Sequence, residues 1–541
     1  MPEATLIRRV AAERQEALYG RESTRQIERL TARLLPPHAL MARAGLAVAQ
    51  LSRALQPHAR CIWVACGPGN NGGDGLVAAT HLHQWSQSTG NSVRVIATHA
   101  SADPTFTKAL PHDAQNAIDA ARRAGVTIQL EPPACFDMGI DALLGIGASG
   151  PVLDAMAPML AILRSSSAPV ICVDLPSGLD AESGVLQSLS GNLSGERTHQ
   201  TGPRYTLSLL TLKPGLFTRD GRDAAGEVWF DDLLAPPQPD NPPMAWLYAE
   251  ALRTHSSAGR PHASHKGSFG DVLVLGGQDI AINGEGMTGA AILAATAALH
   301  AGAGRVFVSL LGEPPATGTR YDPLAPELMF RTPQRALESD LPDRATTVCG
   351  CGGGEAVAAM LPALLGRSHR LVLDADALNA IARDQAMQAL LTQRLPQGWT
   401  TVLTPHPLEA ARLLNTTTEV VMRDRLAAAQ GLADRLSVIC VLKGSGSIVA
   451  APGETPWINA SGNGRLATAG TGDVLAGMIG AALAAPASDL MADARRRVAS
   501  AVFHHGKLAD SWTGPGLQNH LSAAPAVLTA GRLSRRIRPF S

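Results

Sequence analysis

At 541 residues the chain exceeds what one hydrophobic core normally organises, so two or more domains are expected. Its 45% apolar, 17% charged and 4% aromatic residues describe ordinary globular protein and exclude a chain disordered throughout. Lys+Arg and Asp+Glu balance at 46 each, so no basic field exists to draw the chain to nucleic acid or an anionic membrane, and small-molecule substrates are expected.

The N-terminus, MPEATLIRRVAAERQ, carries charges where a secretory segment needs an apolar core, and no apolar run approaches the ~18 residues of a membrane span. A cytoplasmic location and a homo-oligomeric state are the expectations. The cysteines form no CxxC pair and lie mostly in apolar runs, which reads as buried reduced thiols. Residues 1–60 read as helices, with Gly45 of LMARAG as a C-cap. Short apolar runs then alternate with longer amphipathic or Ala-rich ones: CIWVAC at 61–66, SVRVIA at 92–97, GIDALL at 139–144 and PVICVD at 169–174. That rhythm predicts βαβ units around a buried parallel sheet.

Clustered prolines in APPQPDNPP, 235–243, can neither donate ladder hydrogen bonds nor continue a helix, so 235–260 is read as a linker between a domain over 1–234 and another over 261–541. The rhythm resumes with DVLVLGG at 271–277, the Ala-rich TGAAILAATAALHAGAG at 288–304, RVFVSLL, HRLVLDAD, TTVLTP and SVICVLKG. The basic tail GRLSRRIRPFS is read as a solvated end.

After the first of these strands comes GPGNNGGDG, Gly67 to Gly75, leading into an apolar helix. Its glycines permit close backbone approach and the helix start offers unpaired N–H groups to an anion; a plain tight turn is the competing reading. Asn70, Asn71 and Asp74 favour a polar ligand or cation, because a turn does not need them. Asp141, Asp174 and Ser177 stand at or just after strand C-termini, the edge where open α/β sheets bind ligands. In the second half, Asp473 of ATAGTGD precedes an apolar helix, placed either to take a proton beside a phosphoryl group or simply to cap the helix.

GPGNNGGDG, DALLGIGASGP (141–151), CVDLPSGLD (172–180) and LKPGLF (212–217), in that order, resemble the YjeF N-terminal family, the NAD(P)H-hydrate epimerases. HKGSFGDVLVLGG (265–277), PEL (326–328), LDADALN (373–379), TPHPLEAARLL (404–414), Asp424-Arg425, LKGSGS (442–447) and the GTGD segment resemble the carbohydrate-kinase-like NAD(P)H-hydrate dehydratases. The resemblances imply an α/β chain with a Rossmann-like three-layer domain followed by a ribokinase-like three-layer domain, acting on NADHX and NADPHX.

For the first domain they imply that Asn71, Asp141 and Ser177 hold K+. Asn70, Asn71, Gly72, Gly73 and Asp74, the loop Gly145, Ile146, Gly147, Ala148, Ser149, Gly150 and Pro151, and Asp174 would face substrate. Asp174 is the candidate acid/base for inverting C6, with capping of the LPSG turn as the alternative role.

For the second domain the resemblance implies that Lys443, Gly444, Ser445, Gly446, Ser447 and Gly472 bind ADP or ATP with Mg2+. Asp473 would be the base, and Ala290 or Ala291, Gly352 and His406 would face the hydrated cofactor. Asp374 and Asp376 are left without a role. Two departures stand out: GCGGG (350–354) where the family has GPGLG, so that Cys351 does not fix φ as proline does, and KGSGS where it has KGxxT, which keeps a hydroxyl at Ser447. A vitamin or sugar kinase with a regulatory first domain is the rival enzyme; a nucleotide-binding scaffold is the rival from another class.

Overall fold

The computed structural model describes the chain except residues 1–5, 12–13, 89–92, 103–108, 148–151, 153–155, 189–201, 237–240, 250–261, 313–323, 486–490, 513–526 and 540–541. It divides into two compact units, Met1–Ala11 with Glu16–Ala245 and Ala12–Gln15 with Trp246–Ser541.

In the first unit two short strands, β1 (Arg8–Arg9) and β2 (Glu16–Leu18), precede the expected helices α1 (Arg21–Arg33) and α2 (Ala39–Leu55). The sheet of this unit is formed by β1 together with β3 (Cys61–Cys66), β4 (Arg94–Thr98), β5 (Thr127–Gln129), β6 (Met138–Ala142), β7 (Val170–Val173), β8 (Arg204–Leu209) and β9 (Glu227–Asp231). Their order is β1-β9-β8-β7-β6-β3-β4-β5, parallel except for β1 against β9. Helices α3 (Asn70–Ser88), α4 (His112–Arg123) and α5 (Met156–Ser165) cover it. The strand pleat sends alternate residues of β3 to opposite faces. Ile62, Val64 and Cys66 share a core with Val48, Leu76 and Ile118, whereas Trp63 and Ala65 share one with Leu160 and Leu163 of α5. That alternation is the three-layer arrangement.

Gly45 does not cap a helix. It lies inside α2, where a Cβ would come 2.4 Å from Val77 of α3. Its role is to let the two helices touch, which a local capping rule does not register. The cysteines are free and buried except Cys135, which is exposed after the prolines of EPPA, outside any apolar run.

The second unit has β10 (Ala245–Tyr248), β11 (Asp271–Gly276), β12 (Arg305–Leu310), β13 (Met329–Phe330), β14 (Thr346–Cys349), β15 (Arg370–Leu373), β16 (Thr400–Leu403), β17 (Ile439–Leu442), β18 (Ile448–Ala451) and β19 (Glu454–Asn459). Its sheet runs β13-β12-β11-β14-β15-β16-β17-β18-β19-β10. Pairing is parallel from β13 to β17, antiparallel through β18 and β19, and parallel again from β19 to β10. Strand β10 falls inside the stretch read as a linker: AWLY supplies apolar side chains and complete backbone donors after the prolines end, so it joins the ladder. One sheet face packs Val272, Val308 and Val348 against Ala-rich helices; the other packs Leu273 and Phe307 against Ala336 and Leu341. The basic tail also departs from expectation. Residues Ala530–Arg536 form a helix, because Leu533 and Ile537, four apart, are buried, and Ser534 O accepts from His300 Nδ1 at 2.8 Å.

The abundance of alanine has a packing cause. Helices Thr288–His300 and Thr471–Ala484 approach so closely that a Cβ on Gly477 would sit 1.9 Å from the Ala294 carbonyl oxygen. Gly477→Ala is therefore expected to cost about 1–3 kcal/mol, read as a lower denaturation midpoint. Among the described residues no helix is long and apolar enough to cross a membrane.

Candidate functional sites

In the first unit β3 ends at Cys66 and the chain turns sharply into α3. A Cβ on Gly67 would lie 1.8 Å from the Leu143 carbonyl, so the loop after β3 and the loop after β6 meet backbone to backbone. Between them opens a cavity of about 590 Å³, within the usual range for small-molecule sites. Asn70, Asn71, Asp74, Gly145, Ile146, Gly147, Asp174 and Lys213 line it, with Arg25 and Glu28 from α1 and Asp113 from α4. Gly72 and Gly73 are buried in the first turn of α3. Ala148, Ser149, Gly150 and Pro151 lie outside the described residues.

Asp141 and Ser177 are both buried and in direct contact: Ser177 Oγ donates to Asp141 Oδ1 at 2.6 Å and Ser177 N to Oδ2 at 3.0 Å. Leu144 N donates to Ser177 Oγ at 2.9 Å, and the next residue, Gly145, packs against the Asn71 side chain. The Asn71 Nδ2 is buried without a hydrogen-bond partner. Burial raises the Asp141 carboxyl despite the hydrogen bonds from Ser177 and Leu143. A hard cation fits this group. It would meet oxygen donors carrying at most one negative charge, favour the ionised carboxylate, and turn the stranded amide into a ligand through its oxygen.

Asp174 follows β7 with φ +66°, a left-handed conformation that Asp tolerates better than most residues. Its Oδ1 accepts from Lys213 Nζ and from Leu209 N at 3.2 Å. Lys213 is fully buried and also donates to the carbonyls of Leu209 at 2.8 Å and Thr211 at 2.9 Å. Within LKPGLF nothing local marks this lysine for a task; only tertiary structure shows that it points back to a residue thirty-nine positions earlier.

Asp74 contrasts with Asp174. Burial, then the charges of Asp174, Glu28 and Asp113, push its carboxyl well above the usual carboxylate range.

In the second unit the site residues again gather at the C-terminal ends of parallel strands. Lys443 follows β17 and Asp374 follows β15; their Nζ and Oδ1 are 2.7 Å apart. A Cβ on Gly472 would lie 3.4 Å from Lys443 Nζ. Asp473 stands in the first turn of helix Thr471–Ala484. Its carboxylate, that of Asp374 and the Cys351 thiol have ligand atoms within 4.8 Å of one another. Burial, with Asp374 adding to it, pushes the Asp473 carboxyl up to about 6. Lys443 is held above its ordinary value, the attraction of Asp374 and Glu409 outweighing the burial that opposes it.

The GCGGG loop is well tied without proline. Cys351 O and Gly352 O accept from Gly277 N at 2.9 Å and Gln278 N at 2.7 Å, and Gly354 N donates to Asp376 Oδ2 at 2.9 Å. Asp376, left without a role from sequence, thus anchors this loop. Gly352 sits beside Ala290, whereas Ala291 is fully buried beneath Gly277, so of the alternative pair only Ala290 offers surface.

His406 caps the helix Pro407–Leu414. Its Nδ1 accepts from Leu408 N at 3.2 Å and Glu409 N at 3.3 Å, which leaves Nε2 as the donor 3.2 Å from Glu409 Oε1. Its side chain remains 46% exposed, so capping and contact with a ligand are compatible. In the loop Lys443 to Ser447, Arg425 Nη1 holds Ser445 O at 2.5 Å and Ser447 Oγ donates to Gly444 O at 3.2 Å. Gly444 and Ser445 are exposed, whereas Gly446 is buried.

Comparison with known proteins covers both units. Residues 37–215 match the family described as YjeF-related protein N-terminus, and residues 272–525 the family described as NAD(P)H-hydrate dehydratase. The bifunctional NAD(P)H-hydrate repair enzyme Nnr of Escherichia coli (strain K12) is 33% identical over 82% of this chain and 80% of its own length. That of Coxiella burnetii is 31% identical over 94% and 97%. A crystal structure of ADP/ATP-dependent NAD(P)H-hydrate dehydratase from Bacillus subtilis, obtained with ATP/Mg2+, is 27% identical, covering 53% of this chain and 93% of that one at a TM-score of 0.41. With relatives of this identity matched along most of both lengths, the chain belongs to the family of bifunctional NAD(P)H-hydrate repair enzymes.

Proposed function

We propose that the first unit interconverts the R and S epimers of NADHX and NADPHX, and that the second dehydrates the S epimer to NADH or NADPH while ADP (or ATP) becomes AMP (or ADP) and phosphate. The observation that carries the second activity is the cluster of Asp473, Asp374 and Lys443 at the start of an apolar helix.

Hydroxide is a poor leaving group, so the C6 hydroxyl must be activated. Asp473 takes its proton as the oxygen attacks the terminal phosphorus of the nucleotide, whose bridging P–O bond breaks. The ring nitrogen then expels phosphate from C6, and loss of a proton from C5 restores the reduced ring. Lys443 and the exposed Gly444-Ser445 stretch, with Ser447 and Gly472, hold the phosphates, and the helix N-terminus offers them unpaired N–H groups. Asp374 would hold Mg2+, which supplies neutralisation of phosphate charge when bound. Gly352, Ala290 and His406 face the hydrated ring.

In-line transfer depends on close placement, so one C6 epimer is productive and the first unit supplies it from the other. There Asp174 works as acid/base, while Asn71, Asp141 and Ser177 hold K+. Exchanging K+ for Li+ is expected to slow epimerisation and leave dehydration unchanged; Asp141→Ala should abolish that ion dependence.

Release of free phosphate together with recovery of reduced-nicotinamide absorbance tests the dehydratase against a kinase. A stable phosphorylated product would overturn the proposal.

A further inference from the structure

We propose that Asp74 is the general acid of the epimerase, working in the same cavity as Asp174, its base. The inference rests on the epimerase reading above and assigns it a second catalytic group.

Two carboxylates in one cavity take opposite roles when their surroundings separate them. Asp174 has a buried ammonium, Lys213 Nζ, and the Leu209 N–H on a single oxygen. Asp74 has neither: its carboxyl makes no hydrogen bond or ion pair with a described side chain, and it lines the same cavity.

The charged groups that line this cavity with Asp74 come from several elements: Glu28 and Arg25 on α1, Asp113 at the start of α4, Asp174 after β7, and Lys213 after β8. Asp113 is engaged by His38, whose Nδ1 lies 2.6 Å from Oδ1. Glu28 is the nearest competitor for the acid role, and its carboxyl is also raised, first by burial and then by Asp174. Lys213 and Arg25, however, draw it back towards the anion. For Asp74 burial and all three neighbouring carboxylates act in the same direction. Asp74 is also the fifth residue of α3, past the first turn, where the helix dipole would most favour an anion.

The step balances. The Asp74 carboxyl gives its proton to the C6 hydroxyl, the C6–O bond breaks with its electrons leaving on water, and the ring nitrogen lone pair forms a C6=N1 iminium. Water then adds to the opposite face of C6 as the Asp174 carboxylate takes its proton. Exchange with solvent returns the proton from Asp174 to Asp74.

The test compares epimerisation by the full-length wild type, Asp74→Asn and Glu28→Gln across pH, with the denaturant midpoint of the first unit in each chain as the control for folding. Asp74→Asn is expected to lower the epimerase kcat by about 10²–10⁴-fold with KM little changed, and to remove the alkaline limb of the profile. In heavy-oxygen water the wild type should install one labelled hydroxyl per inversion. Wild-type activity in Asp74→Asn, an alkaline limb that persists there but vanishes in Glu28→Gln, or inversion without label would overturn the assignment. Should Asp74→Asn lower that midpoint enough to unfold the first unit, Asp74→Glu replaces it: rescue with a displaced alkaline limb supports the acid, and rescue without displacement overturns it. Failure of the wild type to epimerise would instead overturn the epimerase reading itself.

Discussion

Asp473→Asn is expected to lower the dehydratase kcat by about 10²–10⁴-fold while leaving KM and epimerisation nearly unchanged, the loss typical of a positioned general base. The substitution preserves volume and the helix start, so it removes proton acceptance alone. A companion pH dependence follows from the same surroundings. Burial and Asp374 raise this carboxyl to about 6; because a base must be ionised, the wild-type kcat/KM should hold on the alkaline side and fall as pH drops through about 6. Cys351 bears on that profile, since its buried thiol stands in the same cluster as the carboxylate and acts against the rise that burial causes. Steady-state kinetics across pH checks both expectations, and a flat profile in the wild type would remove Asp473 from the role.

Lys213→Met should destabilise the first unit by about 3–5 kcal/mol, because removing one member of a buried ion pair leaves the other uncompensated. Here the carbonyls of Leu209 and Thr211 each lose one of two donors as well, keeping those from Thr211 N and Ser208 Oγ. Denaturant unfolding of the full chain, followed with both activities, is the measurement: epimerisation should disappear first, at a lower midpoint than in the wild type, with dehydration persisting. Methionine fills nearly the same space as the lysine stem, so a large loss would report charge and hydrogen bonding rather than a cavity. Unchanged stability would show that Asp174 finds other partners.

Much of the strand layout was legible because buried parallel strands read as short apolar runs. CIWVAC and DVLVLG are strands along their whole length. The Gly-rich turn after β3 and the acidic residues at strand ends were legible for the same reason: local chemistry of glycine and carboxylates is written in the chain itself. What was hidden depends on contacts between distant residues. Gly45 resembles a helix stop until α3 is seen pressed against it. The basic tail resembles a solvated end until Leu533 and Ile537 are seen buried. The bond from Lys213 to Asp174 and the anchoring of the GCGGG loop by Asp376 both need the strand order, which periodicity does not reveal. Ala290 and Ala291 were equivalent in sequence, and packing under Gly277 separates them.

Cofactor repair by two cooperating activities is tested most directly by supplying a mixture of R and S NADHX to the full chain and following each epimer by chromatography, with and without ADP or ATP. Without nucleotide the two epimers should interconvert to a constant ratio, and with it both should disappear into NADH with one phosphate released per molecule. Persistence of the R epimer after the S epimer is consumed, or loss of either into a phosphorylated product, would contradict it.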